Sequence, residues 1–152
     1  MPNYKIKHRI PARQDGWEHK IPNNFFQTYR TAEVDETSFS RHANLVSANP
    51  KVNFWFFDDL AMDRFMLENF QDRPIYSIYK GQSFGAAKAD IWRYCVLWKY
   101  GGIYLDFDAS LKAPIDSLPS DASEIIAYER NAILDFISEG YTPHRRAKRA
   151  VH

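Results

Sequence analysis

Two aspartates separated by one residue, Asp106 and Asp108, follow directly on an apolar run, Ile103-Tyr104-Leu105. In an extended segment alternate side chains share a face, so the two carboxylates are expected on the same side of the chain. Carboxylates that close repel each other and would repel a phosphate. A hard divalent cation removes both problems, and Mg²⁺ in particular accepts one or two carboxylates while filling its octahedron with water and substrate phosphate oxygens. The bland alternative is a pair of aspartates capping a turn at a strand end. Upstream, Asp90 and Arg93 are three residues apart and so lie on one face of a helix. As a surface ion pair they would contribute only about 0.2–0.5 kcal/mol. Ala86, Ala89 and Leu97 mark the same face, which predicts that it turns toward a sheet, where a buried acid–base pair needs partners. Sugar hydroxyls both donate and accept, so they suit a carboxylate beside a guanidinium.

Such groups need rigid supports. Residues 84–100 are the longest helix-compatible stretch, with Ala86, Ala89, Arg93, Val96, Leu97 and Tyr100 at three- and four-residue steps and Gly101 where a helix-ending residue belongs. Gly101 and Gly102 allow a tight reversal into a strand at residues 103–105. Ile21 to Tyr29 reads as a first strand, and Val52 to Phe57 as a strand buried on both faces. A helix capped by Thr37 or Ser38 is expected to run to about Ala48 and to stop at Asn49-Pro50. Another is expected from Asp58 or Asp59 to about Asn69, with Leu60, Arg64, Leu67, Met66 and Phe70 as its apolar spacing. Pro74 to Tyr79 alternates weakly, as a short strand or an extended loop; Pro114 and Pro119 mark a loop; Glu124 to Tyr128 suggests one more strand, and Ile133 to Ile137 is ambiguous. Strands alternating with helices predict an α/β layer with a largely parallel sheet, whose ligands bind at the carboxyl ends of strands, where the aspartates fall.

The chain has 152 residues, enough for one domain. We divide it into an N-terminal arm (1–20), a main α/β domain (21–142), which the resemblance described below implies to be nucleotide-sugar-binding, and a basic tail (143–152). Twenty basic and nineteen acidic residues give a net charge of +1, which supplies no general electrostatic attraction for nucleic acid. The single cysteine, Cys95, excludes an internal disulfide and any cysteine-based metal site, and is expected to be a buried, inert thiol. No stretch is apolar enough to be a leader or a membrane span, so the expected location is cytoplasmic, with the inner membrane face as a peripheral site. His8, His19, His42, His144 and His152 show no metal spacing and are expected at the surface; Trp92 and Trp98 are expected to pack. The tail residues His144, Arg145, Arg146, Lys148, Arg149 and His152 read as a solvated terminus, with an anionic acceptor or phospholipid head groups as the alternative.

The segment Ala87-Lys88-Ala89-Asp90-Ile91-Trp92-Arg93-Tyr94, followed by Tyr100-Gly101-Gly102-Ile103-Tyr104-Leu105-Asp106-Phe107-Asp108, resembles the DXD-containing sugar transferases of glycosyltransferase family 32. Nearly every position matches over about twenty-five residues. Ile21-Pro22 through Phe26-Gln27-Thr28-Tyr29 is similar to the family's opening strand, with Phe26 and Tyr29 where His and Trp are common. The resemblance implies a GT-A fold, a Rossmann-like α/β domain with a mostly parallel central sheet. It implies transfer of a hexose, with retention, from a nucleotide-sugar donor (a UDP- or GDP-sugar) to a glycan or lipid-linked acceptor, as in polysaccharide biosynthesis, using Mn²⁺ or Mg²⁺. It assigns Asp108 as principal metal ligand and Asp106 as a donor-contacting residue that also serves the metal. Asp90 and Arg93 would hold sugar hydroxyls near the diphosphate, and Phe26, Gln27 and Thr28 would line the nucleotide pocket. Asp106, Asp108 and Arg93 are thus the expected catalytic residues.

Only 44 residues follow Asp108, fewer than the resemblance implies, so the fold is expected to be incomplete at its C-terminus. A truncated or degenerate nucleotide-sugar-binding protein without turnover is therefore the alternative. A haloacid-dehalogenase-type phosphatase using Asp106 as nucleophile is a lesser one. It would need a downstream lysine and a paired acidic metal site, and no paired aspartates follow Leu111.

Overall fold

The computed structural model describes residues 4–111 and 113–126. Two short apolar strands form its centre. β3 (Asn24–Thr28) and β5 (Asn53–Phe57) pair in parallel, with Phe25 opposite Phe54 and Thr28 opposite Phe57. Four of the five β3 residues are buried, as a strand covered on both faces requires. β6 (Ile103–Tyr104) joins the other side of β3, also parallel, with Tyr104 opposite Phe26. The segment expected as an arm supplies β1 (Tyr4–Lys5) and β2 (Arg9–Ile10). β2 runs antiparallel along β5, giving the order β2-β5-β3-β6, and β1 pairs separately with β4 (Glu33–Val34). The sheet is therefore mixed: parallel at its centre, antiparallel along the edge that the polar N-terminal segment covers.

The alternation of β3 sorts the helices. Phe25 and Gln27 face α1 (Glu36–Ala48); Phe26 and Thr28 face α2 (Asp59–Phe70), α3 (Pro74–Lys80) and α4 (Gly85–Tyr100). On the second side Phe26, Phe57, Met62, Phe65, Met66, Phe70, Tyr79, Trp92, Cys95 and Val96 make one apolar cluster. Each such large side chain stabilises the fold by roughly 1.5–3 kcal/mol. Phe25, Val46, Val52, Phe54 and Ile115 fill the α1 side.

Several expectations change on contact with the packing. α1 is capped by Asp35, whose carboxylate accepts from Ser38 N at 2.9 Å, so Thr37 and Ser38 lie inside the helix. α2 buries the stripe Met62, Phe65, Met66, Phe70, leaving Leu60 and Leu67 exposed. Residues 74–80 are helical: Pro74 takes the first helical position, where its missing N–H costs nothing, and Tyr79 is buried with its hydroxyl donating to Asp63 at 2.7 Å. The loop after Pro114 contains a 3₁₀ turn, Ile115–Ser117. Glu124–Ile126 are not in a strand; the rest of that expected strand, residues 133–137 and the basic tail lie outside the described residues. Trp92 is fully buried, but Trp98 is exposed, resting on Phe70 with Arg73 over its face. Cys95 is buried, and burial pushes its thiol up, as an inert core residue requires. His42, expected at the surface, is buried at 6 % exposure. Among the described residues no helix is long and apolar enough to cross a membrane.

Candidate functional site

The junction of α4 and β6 positions the site. Gly101 ends the helix at φ +62°, its N–H donating to Leu97 O at 2.8 Å. Gly102 follows at φ +109°, and a Cβ there would stand 2.3 Å from the Asn24 carbonyl oxygen. Only glycine allows both the left-handed backbone and that approach to β3. The chain therefore reverses within two residues, and Arg93, in the third turn of α4, comes to lie beside the end of β6.

Four side chains meet there. Arg93 pairs with Asp90 along the helix, and its Nη2 lies 3.6 Å from Asp106 Oδ1. The Tyr104 hydroxyl donates to that same Asp106 oxygen at 2.8 Å, while the Arg93 guanidinium lies 4.7 Å from the Tyr104 ring centroid. Burial, and then the bond to Asp106, hold the Tyr104 phenol well above its ordinary pKa, so it remains a donor at any working pH. The face of α4 turned to the sheet is that of Trp92, Cys95 and Val96. Asp90 and Arg93 sit on its rim, not under it as expected from the alanine spacing. The side chains of Asp90, Arg93 and Asp106 are 63 %, 29 % and 55 % exposed. At such exposure ion pairs add little stability, so the convergence of a carboxylate pair on one guanidinium is not explained by folding energy.

The acidic pair itself lies on a turn. β6 stops at Tyr104, and Ala109 N–H donates to the Asp106 carbonyl at 3.0 Å, leaving Phe107 and Asp108 as the central turn residues. Alternation survives in burial: Asp106 and Asp108 are exposed and Phe107 is buried. Phe26, Gln27 and Thr28 lie deeper, on β3. Phe26 is in the core, its carbonyl accepting from Leu105 N at 3.2 Å. Gln27 is bonded to His42, and the Thr28 hydroxyl donates to Phe57 O at 2.7 Å. All three are almost wholly buried. The next residue, Tyr29, reaches the surface with its ring 5.1 Å from Phe107. A cleft of about 730 Å³ between β5 and α2 includes Asn24, Trp55, Asp58 and Arg64 but none of Asp90, Arg93, Asp106 or Asp108.

Among the described residues no group of three or more His, Cys, Asp or Glu could hold a metal by itself. A cation at this turn would take one or two carboxylates, from Asp108 and Asp106, and complete its shell with phosphate and water. Exposed oxygen donors of that number fit Mg²⁺ or Mn²⁺.

Tyr104 was not marked by the sequence, because an aromatic in a short apolar strand reads as core. Its signal was its place two residues before Asp106, on the same face of an extended chain.

A glycosyltransferase sugar-binding region containing the DXD motif matches residues 20–125. Inositol phosphoceramide mannosyltransferase 3 of Schizosaccharomyces pombe is 30 % identical over 112 residues, covering 73 % of this chain and 30 % of that protein. Inositol phosphoceramide mannosyltransferase 1 of the same yeast is 32 % identical over 115 residues, 70 % of this chain and 34 % of that protein. Initiation-specific alpha-1,6-mannosyltransferase of Candida albicans is 28 % identical over 117 residues, 73 % of this chain and 30 % of that protein. The chain thus spans about a third of the length of the curated relatives it matches. No solved structure matches it.

Proposed function

The chain belongs to the family of glycosyltransferase sugar-binding regions that carry the DXD motif, and from that premise we propose that it acts as a divalent-cation-dependent hexosyltransferase with a GT-A arrangement. The donor is a UDP- or GDP-sugar, and the names of the relatives favour mannose as the hexose. The acceptor is a glycan or a polar lipid. Transfer proceeds with retention. The observation that carries this reading is the meeting of Asp90, Arg93, Tyr104 and Asp106 at the carboxyl end of β6, two residues before Asp108.

The difficult event is departure of a nucleoside diphosphate from an anomeric carbon that becomes oxocarbenium-like. Asp108 and Asp106 would hold Mn²⁺ or Mg²⁺, which supplies Lewis-acid neutralisation of the charge growing on the leaving phosphate. Asp90 accepts from hexose hydroxyls and Arg93 donates to them. Held between two carboxylates and over the Tyr104 ring, the Arg93 guanidinium adds a fixed positive charge on the side of the departing diphosphate. Tyr104 keeps Asp106 turned toward that guanidinium. Phe26, Gln27 and Thr28, buried on opposite faces of β3, serve the site as the strand that supports β6 and not, as expected from the resemblance, as the lining of the nucleotide pocket. Front-side attack by the acceptor hydroxyl needs no dedicated protein base.

A screen of nucleotide-sugars, GDP-mannose included, for nucleoside-diphosphate release tests the reading with and without Mn²⁺. The wild type is expected to turn over a donor only with the cation, and Asp108→Asn to lose that turnover with an unchanged melting temperature. Equal rates in wild type and Asp108→Asn would remove Asp108 from the site. Tight donor binding without turnover would favour the binding-module alternative.

A further inference from the structure

Phe107 is buried between two exposed aspartates, so the seat of its ring determines how the turn presents both carboxylates. Three rings surround it: Tyr29 at 5.1 Å, Phe56 at 5.5 Å and His42 at 6.3 Å between centroids. His42 differs from the other two. It reaches in from α1, packs edge-on against Phe54 and Phe56 as well, and its Nδ1–H donates to Gln27 Oε1 on β3 at 3.0 Å. Among the described residues its Nε2 is buried without a partner. A phenylalanine would fill this place without that unpaired nitrogen, but it would take from Gln27 Oε1 its donor. What the imidazole adds is a directional bond that fixes the ring's rotation. Close packing does not do so, since a cavity of about 310 Å³ lined by Gln27, Arg41, His42, Phe107 and Ser110 opens at this point.

We propose that His42 is a positioning residue of the site: its bond to Gln27 ties the imidazole to the central strand, and the ring so fixed seats Phe107 and thereby aims Asp106 and Asp108. The side chains facing it are Gln27 from β3, Phe54 and Phe56 from β5 and Phe107 from the turn, none of them charged. Among the described residues, Arg41 of α1 is the charged residue lining the same cavity. The consequence for a cation rests on the reading of the two aspartates as its ligands; the bracing of the turn does not.

Two measurements test this. The first is amide hydrogen exchange in the metal-free protein at Ala109, whose N–H closes the turn on the Asp106 carbonyl. His42→Ala is expected to speed it about tenfold, and His42→Phe, which keeps a ring but loses the Gln27 bond, about threefold. The Met62 amide in the first turn of α2 is expected to be unchanged. An unaltered Ala109 rate, or equal acceleration at Ala109 and Met62, overturns the proposal. Should His42→Ala not fold, His42→Phe decides alone by the same criterion. The second is titration with Mn²⁺ alone, followed by loss of the free-ion electron paramagnetic resonance signal. About tenfold weaker binding in His42→Ala and about threefold in His42→Phe are expected. If Asp108→Asn loses Mn²⁺ but the His42 variants bind it normally, the link from His42 to the carboxylates is refuted. If Asp108→Asn binds Mn²⁺ like the wild type, the cation reading fails, and the exchange rates still judge His42.

Discussion

Tyr104 and Asp106, two residues apart at the end of β6, are joined by a 2.8 Å hydrogen bond from the phenol to Oδ1, the same oxygen that faces Arg93 at 3.6 Å. One aromatic side chain thus holds the carboxylate through its hydroxyl and carries the guanidinium on its face. Tyr104→Phe keeps the face and removes the hydroxyl. Hydrogen bonds to charged groups contribute about 1.5–3 kcal/mol, less for a half-exposed carboxylate. We expect donor turnover, read as kcat/KM, to fall about tenfold, equivalent to about 1.4 kcal/mol, with thermal unfolding nearly unchanged. A wild-type kcat/KM would show that Asp106 needs no orientation.

Arg93→Lys retains the charge but neither the planar fork nor the stacking on Tyr104. The two carboxylates it joins need donors in different directions, which a single ammonium on a flexible stem serves poorly. Turnover is expected to drop by about tenfold or more, while stability stays within about 0.5 kcal/mol because the ion pairs are solvent-screened. Kinetics and denaturant unfolding on one preparation separate the two effects. A stability loss matching the activity loss would make Arg93 a structural residue.

The central strands were legible because Phe25-Phe26 and Phe54-Trp55-Phe56-Phe57 are runs that only a sheet covered on both sides can bury. α4 and its glycine stop were legible for similarly local reasons. What escaped depends on distant pairing. β1 and β2 are two residues each and exist only because partners lie alongside. Residues 74–79 alternate like a strand, yet Tyr79 gains more by entering the cluster of Phe65 and Trp92 from a helix. His42 could have been read: Phe39, His42 and Val46 fall at helical spacing on the buried face of α1, and a histidine in an apolar stripe signals a buried polar contact. The exposure of Asp90 was missed because alanines marked Ala86 and Ala89 as inward, when Trp92, Cys95 and Val96 set the helix rotation.

Gly102→Ala tests the α4–β6 junction. The new methyl would meet a backbone oxygen at 2.3 Å, in a conformation at φ +109° that L-residues avoid. Strain of about 1–3 kcal/mol for the backbone adds to about 1–3 kcal/mol of overpacking, so a loss of about 3 kcal/mol is expected, lowering Tm by roughly 10 °C. Turnover measured well below that Tm should fall too, because relief of the clash moves β6 away from β3 and with it Asp106. Unchanged activity in a destabilised protein would mean that the turn is positioned independently of β6.

The buried imidazole gives stability a pH dependence whose sign can be worked out. Burial lowers the pKa of His42 in the folded protein below its ordinary value of about 6.5. Above 6.5 the ring is neutral in folded and unfolded chains alike and favours neither. As pH falls through 6.5 the unfolded chain takes up the proton first, so stability declines, by at most about 1.4 kcal/mol per pH unit. The decline ends once pH passes the lower folded value. His42→Phe removes this titration and leaves the carboxylates and other histidines in place. The difference in unfolding free energy between wild type and His42→Phe, measured in urea, is therefore expected to be constant from pH 8 to 7. Below pH 6.5 it should move steadily against the wild type. A difference that stays flat down to pH 5 would mean that His42 accepts a proton freely where it sits, with the adjoining cavity hydrating the ring despite its contacts with Phe54, Phe56 and Phe107.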